Sequence, residues 1–439
     1  MFALGFVALS QVNPSIFSTR TMENILARNA LDHLFRHEYS KLVALLTNRY
    51  GTALLDLVED AVQEALLKAS KVWSYQPMPE KPGAWLYRVA NNKMIDFLRR
   101  EKKSVDYEGN IATDSEQTDQ VDFELAEEAI QDDMLKMIFA CCHPAMKPQE
   151  QLMLSLKLLC GLSVKEIARA LLKSEEGTKK ALQRAKQKFK TEVGQLSVPG
   201  EHEVKERLNA VLHVIYLLFN EGYKATYGEK LIRMDLCDEA IRLGFLLANE
   251  SQCDTNELNA LISMMLFKAA RFPARVGEDG NLITLEFQNR GLYDEECIRW
   301  AWRFLKRSSE FEGPATIYQL EAAISSYYTV AASYEKTNWK CIFDLYERLI
   351  DVKPSPVVKL SRAVVLSKLR GPKEGLAALG EIKVALKENQ AFHAIKADLL
   401  SQVNDWNGAR LHLSFAIRYS QNITERRFLE KRLELWREK

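Results

Sequence analysis

Trp85–Lys103 reads WLYRVANNKMIDFLRREKK, and its spacing decides the class of fold. Leu86, Val89, Ala90, Met94, Phe97 and Leu98 fall on one helical stripe that has to be buried against other helices. Trp85, Arg88, Asn92, Asp96, Arg99 and Lys103 recur at steps of three and four along another side. An aromatic, an amide and several cations on one ridge suit a nucleic-acid strand, which offers bases to stack on, edges to bond and phosphates to pair. A solvated basic helix with Trp85 as a core anchor is the plainer reading, and on this helix alone it has the stronger claim.

Composition sets bounds around that helix. A chain of 439 residues makes two or three domains, and 47% hydrophobic residues suffice for their cores. The net charge of +1 does not announce a nucleic-acid binder, so local clustering has to carry that case. Seven cysteines without regular spacing point to reduced thiols in a cytosolic protein. The apolar run Met1–Leu9 is too short to span a bilayer and lacks the basic flank of a secretory signal. Residues 1–24 are expected to be unstructured or an over-extended reading frame, with Met22 as the native start.

In chain order the periodicity predicts helices throughout, an all-α fold. Residues 25–103 form a first unit. Leu31, Leu34, Phe35, Leu42, Leu45 and Leu46 pattern one helix; Gly51 interrupts it; a second runs from Leu54 to Trp73. Asp60, Gln63, Glu64 and Lys68 lie on its polar strip. Tyr75–Gly83 holds three prolines and a glycine, hence a loop, before the Trp85 helix. Residues 104–133 are acidic and aperiodic, a linker or a mere spacer.

Residues 134–198 form a second unit. Ser163 and Glu166 make a capping box, Leu172-Lys173 a short turn, and Ser174 caps a helix to about Lys190. That is a helix-turn-helix or a structural helical hairpin. Its second helix carries Lys179, Lys180, Gln183, Arg184 and Lys186, residue types that read a major groove. Cys141-Cys142-His143 point in different directions on a helix, with no second pair at zinc spacing. Buried thiols beside Pro144 fit better than a metal site.

Past Val198-Pro199-Gly200, residues 199–312 are a helical extension in which Arg207–Tyr223 reads as buried. Ala269–Arg290 breaks the helices as a loop or small hairpin. Its Arg271, Arg275, Glu286 and Arg290 make either a ligand site or a structural ion-pair cluster. In residues 313–439, Trp339, Pro372 and Trp406 begin helices 33 and 34 residues apart, the tetratricopeptide period. Tyr346, Leu379 and Leu413 then coincide, as do Leu349, Ile382 and Ala416. Such stacks present concave surfaces to a peptide or to another part of the chain, or serve as architecture alone. Thr424–Lys439 reads as a solubilising cap.

Together these pieces resemble the extracytoplasmic-function (ECF) sigma factors of bacterial RNA polymerase, in the subgroup with a C-terminal tetratricopeptide-like extension. Asp60-Ala61-Val62-Gln63-Glu64 looks like the region 2 segment that docks on the β′ clamp helices of core polymerase. Trp85 to Asn92 and Asp96 match the −10-element helix, and the Tyr75–Pro82 loop matches the one that captures a flipped base. Met134–Lys190 resembles region 4, which holds the −35 element and the β flap. The runs Asp133–Ala145, Phe219–Tyr223 and Ala270–Arg275 are similar to signatures of the extended subgroup. The match covers nearly everything after Ile25, with departures at Gly177 (usually Thr), Ala181 (often Arg) and Asn289 (usually Asp).

The resemblance implies partners and roles. Asp60, Gln63 and Glu64 would bind core polymerase; Tyr75, Trp85, Arg88, Asn92, Arg99 and Arg100 the −10 strand; Lys179, Lys180, Gln183 and Arg184 the −35 groove. The acidic linker would follow the RNA-exit path, and the extension would regulate by sensing a protein or peptide or by docking on the sigma regions. Without a Ser-His-Asp set, P-loop or metal-ligand cluster, no catalysis, metal or cofactor is expected, and no membrane association. The rival is a non-sigma helix-turn-helix regulator whose repeats bind a peptide; it has no use for Asp60, Gln63, Glu64 or the Trp85 helix.

Overall fold

Why the chain folds as helices shows first at Gly51. With φ at +87° it stops α1 (Ala30–Tyr50) and turns the chain through Thr52–Leu54 into α2 (Leu55–Val72). A non-glycine residue pays for that backbone conformation. Leu55, Val58, Ala61, Val62, Ala65 and Ala69 are fully buried on α2, a three-and-four spacing that fixes which face turns inward. Pro82 then opens α3 (Pro82–Ser104) in its first turn, where its missing N–H costs nothing. These coordinates are a computed structural model that describes residues 30–104, 126–171, 173–225, 231–277 and 282–437. The expected start at Met22, most of the acidic linker and Leu172 lie outside them.

A second group holds α4 (Ala126–Cys141), α5 (Pro148–Leu158), α6 (Val164–Ala170) and α7 (Glu175–Glu192). Both expected caps are present. Glu166 N–H donates to Ser163 Oγ at 3.2 Å while Ser163 N–H donates to Glu166 Oε2 at 2.9 Å. Gly177 N–H donates to Ser174 Oγ at 3.1 Å. Each satisfies a donor that a helix start leaves open.

Next come α8 (Glu201–Tyr223), α9 (Met234–Ala248), α10 (Asn256–Ala269), the single turn α11 (Phe272–Arg275), α12 (Glu295–Ser308) and α13 (Ile317–Val330). Leu258–Phe267 of α10 is buried on every side, as an all-round apolar helix must be, between α9, α12 and α13. Within Ala269–Arg290, expected to be a loop or small hairpin, the described residues form a bridge between Val276 and Leu282. It is the one β interaction among the described residues.

One continuous core runs from Tyr39 through the second group to Phe304 and Ala322. Beyond it the architecture changes. The helices α14 (Trp339–Val352), α15 (Pro356–Arg370), α16 (Pro372–Ile382), α17 (Gln390–Gln402), α18 (Trp406–Tyr419) and α19 (Ile423–Leu435) bury three small successive cores. Each core joins neighbours only, the arrangement of a stack that grows one helix pair at a time. Leu349, Ile382 and Ala416, equivalent in the 33–34-residue register, are all buried, as are Leu379 and Leu413. The last helix is more than a cap. Leu429 is buried, Lys224 and Glu425 pair at 3.0 Å, and Asn422 Nδ2 donates to Ala225 O at 3.1 Å. The stack therefore curls back onto the end of α8.

Candidate nucleic-acid interface

Burial of Leu86, Ala90 and Met94 against α2 fixes the rotation of α3, and that rotation turns Arg88, Asn92, Asp96, Arg99 and Arg100 to solvent. The neighbouring Asn91 is inward instead, accepting Tyr50 O–H at 2.8 Å. Trp85 serves both readings. Its ring is half-buried, 5.5 Å from Trp73, which stacks on Phe35 at 6.0 Å, and Lys68 Nζ lies 6.0 Å from it on the outside. Tyr75 stands on the α2–α3 loop with 77% of its surface exposed, a free face for stacking.

On α2, Asp60, Gln63 and Glu64 are exposed together, one helical turn wide. Glu64 pairs with Lys93 of α3 at 2.5 Å, which ties this acidic strip to the basic ridge. Lys93 was not singled out by the sequence; its partner, 29 positions earlier in a different helix, gives no periodic signal.

The second helix of the helix-turn-helix is oriented by Thr178, Leu182, Ala185 and Phe189, all buried. Lys179, Lys180, Gln183 and Arg184 consequently face outward. Lys180 pairs with Glu176 at 2.7 Å, and Arg184 Nε–H reaches Lys180 O at 3.4 Å. At Gly177 an added Cβ would meet Ser174 Oγ at 2.8 Å, so the cap hydroxyl occupies the space a larger residue needs.

Lys186 and Lys190, on the same helix, do not face solvent. They pair with Glu59 and Asp56 of α2. Glu59 is buried; it accepts Tyr39 O–H at 2.7 Å and has Lys157 Nζ at 3.5 Å. Burial drives the Lys157 ammonium below its ordinary pKa against the pull of Glu59, and drives the Tyr39 phenol well up. Thr52 Oγ1 adds hydrogen bonds to Gly194 O at 2.8 Å and Val193 O at 3.2 Å. The two candidate DNA-reading helices are thus fastened together through α2.

A second junction adds the third helical group. Arg36 of α1 reaches Glu166 of α6 at 2.6 Å and also pairs with Asp235 of α9. Arg233 bonds Asp235 at 2.7 Å and lies 3.5 Å from Glu166. Burial alone would raise the Glu166 carboxyl; the Ser163 N–H and the Arg36 and Arg233 charges hold it below the usual range. Two cations and two carboxylates therefore bind three parts of the chain at one point. Cys141 and Cys142 are buried thiols, the latter pushed up to about 12 by burial. Among the described residues no group of three His, Cys, Asp or Glu is placed to hold a metal.

Residues 34–104 match the family described as Sigma-70 region 2, and residues 136–189 match Sigma-70, region 4. Residues 207–309 match a family of unknown function, DUF6596. An uncharacterized protein of Rhizobium meliloti (strain 1021) is 34% identical over 382 residues, which covers 87% of this chain and 90% of that protein. No solved structure matches the chain significantly. The two sigma regions place it in promoter-specific transcription, with core RNA polymerase and promoter DNA as partners. The chain belongs to the sigma-70 family, as an ECF-like sigma factor that carries an extra C-terminal domain.

Proposed function

We propose that this sigma factor is held closed by its own extension, and that opening it permits recognition of −10 and −35 elements. The observation that carries this reading is the fastening of region 4 to region 2 by Lys186, Lys190 and Lys157 on Asp56 and Glu59, together with the Arg36–Glu166–Asp235–Arg233 cluster. The two elements, roughly 25 base pairs apart by name, are about 85 Å apart at about 3.4 Å per base pair. An 18-residue helix such as α7 spans only about 27 Å at about 1.5 Å per residue. Its last turns touch α2, so both DNA-reading faces lie within a few tens of ångströms of each other. One molecule in this arrangement does not reach both elements. Residues 104–133 join the two regions, and their release would allow the necessary separation.

In the open state Asp60, Gln63 and Glu64 would meet the β′ clamp helices, and region 4 the β flap. Arg88, Asn92, Arg99 and Arg100, with Trp85 and Tyr75 as stacking faces, would engage the melted −10 strand. Lys179, Lys180, Gln183 and Arg184 would read the −35 groove. The extension would act from the cytoplasm, where the polymerase works, and its tetratricopeptide-like stack would receive a peptide or protein. The region 2 match speaks against a non-sigma regulator, which needs only the helix-turn-helix. Single-molecule energy transfer between dyes on regions 2 and 4 tests the reading. Low separation in the free chain and high separation on core polymerase support it; equal separations in both sink it.

A further inference from the structure

Both ends of the C-terminal stack are pinned to α8. At the first helix of the stack, Lys353, which caps the end of α14, sets its Nζ 5.3 Å from the centre of the Tyr216 ring of α8. Tyr216 O–H donates to Glu321 Oε1 of α13 at 3.1 Å, and Lys353 Nζ lies 3.8 Å from the same oxygen. At the far end, Asn422 Nδ2–H donates to Ala225 O at 3.1 Å, and Glu425 Oε1 lies 3.0 Å from Lys224 Nζ. Asn422 is buried and acts twice, because its Oδ1 also accepts Glu425 N–H at 3.1 Å as the N-cap of α19. Tyr216 and Ala225 are nine positions apart, roughly 14 Å along a helix at about 1.5 Å per residue. Six helices therefore close a loop on the last turns of α8.

The end of α8 is in turn wedged against the start of α9. An added Cβ at Gly222 would meet Cys237 Sγ at 2.6 Å, Cys237 N at 2.8 Å and Arg233 O at 2.9 Å, so the two segments touch with no space between them. Arg233 N–H donates to Gly222 O at 2.8 Å, and Ala225 N–H donates to Leu231 O at 2.8 Å. Arg233 is a member of the cluster that joins Arg36, Glu166 and Asp235. A displacement of Ala225 thus reaches Arg233 through backbone hydrogen bonds and a close contact. The stack can supply such a displacement. Its cores join neighbours only, so it bends by small rotations at each joint, and with both ends held the bend is taken up where they are held.

We propose that the stack controls the sigma regions through its last helix, with Asn422 and Glu425 of α19 holding Lys224 and Ala225 so that Arg233 stays in the cluster with Arg36, Glu166 and Asp235. Bending that withdraws α19 from the end of α8 releases Arg233 and loosens the closure. The inference rests on the reading of that cluster as part of the closure between regions 2 and 4. Coupling of this kind is reciprocal, so opening the cluster loosens α19 in turn.

Energy transfer between dyes on regions 2 and 4 of the full chain tests it. Asn422→Asp keeps the acceptor that caps α19 and removes the Nδ2–H donor, setting a carboxylate against the Ala225 carbonyl. Its open fraction should rise several-fold with helicity by circular dichroism unchanged. Glu425→Lys should open the chain by a smaller factor, and adding Lys224→Glu to it should restore the wild-type transfer; this pair carries the test if N422D does not fold. In the reverse direction, Arg36→Gln should speed amide hydrogen exchange in α19 while leaving α17 as in wild type. Wild-type transfer in folded N422D and E425K chains, beside lowered transfer in R36Q, overturns this inference and leaves the closed reading standing. Unchanged exchange in α19 of an open R36Q chain also overturns it. Unchanged transfer in all three variants overturns the closed reading and this inference with it.

Discussion

The guanidinium of Arg36 lies 2.6 Å from the carboxylate of Glu166, 130 positions further along the chain. It shares its other nitrogen with Asp235. Both ends of the Arg36–Glu166 pair are mostly screened from solvent, with 30% and 24% of their side chains exposed. Removing one partner of such a cluster leaves uncompensated charge and costs about 1–3 kcal/mol. Arg36→Gln should therefore shift the chain toward the open form by roughly tenfold or more, at about 1.4 kcal/mol per decade. Energy transfer between regions 2 and 4 reads this directly; unchanged transfer would remove the cluster from the mechanism.

Imidazoles held below their ordinary pKa give stability a pH dependence. His37, His143 and His213 all have pKa values lowered by burial, and His412, also flanked by Lys396, His393 and Lys383, falls to about 4. The unfolded chain then takes up protons first, near its ordinary value of about 6.5. Stability is full above that pH and declines as pH falls toward the folded-state values. The melting temperature should drop between pH 7 and pH 4.5, and His412→Asn should drop less over the same range. A flat profile for the wild-type chain contradicts this.

Two glycines in the C-terminal stack should respond in opposite ways. A Cβ on Gly375 would lie 2.6 Å from Ser367 Cβ and 2.9 Å from Leu399 Cδ1, whereas one on Gly380 meets nothing within 4 Å. Gly375→Ala should destabilise by about 1–3 kcal/mol through overpacking. Gly380→Ala should stabilise by up to about 1 kcal/mol through helix propensity. Urea denaturation monitored by circular dichroism separates the two; equal shifts would mean that the close approach at Gly375 is absent.

Exposed residues of the two helices proposed to read DNA should affect DNA and spare the fold. Asn92→Ala should leave the melting temperature nearly unchanged, within about 0.5 kcal/mol of stability, while reducing promoter opening. Lys179→Ala should weaken DNA binding across sequences and reduce the salt slope by about one. Permanganate footprinting and binding at graded salt measure these effects, and wild-type values for both variants would strip these helices of their roles.

Much of this architecture is legible in the residues because it is local. The Ser163–Glu166 box, the break at Gly51 and the helix starts at Trp339, Pro372 and Trp406 all depend on neighbours within a few positions. So does the outward turn of Lys179, Gln183 and Arg184, which follows from the buried face beneath them. The closed arrangement is different in kind. Arg36, Glu59, Glu166 and Lys186 sit on strips that helical periodicity assigns to solvent, and only tertiary packing brings them together.

The most direct check is run-off transcription with purified core polymerase and the full chain, on DNA from upstream of its own coding sequence. Discrete transcripts that require the chain, increase with Arg36→Gln and fall with Asn92→Ala are expected. No specific transcript from either the wild-type or the R36Q chain, with neither co-eluting with core polymerase, would contradict a self-closed sigma factor outright.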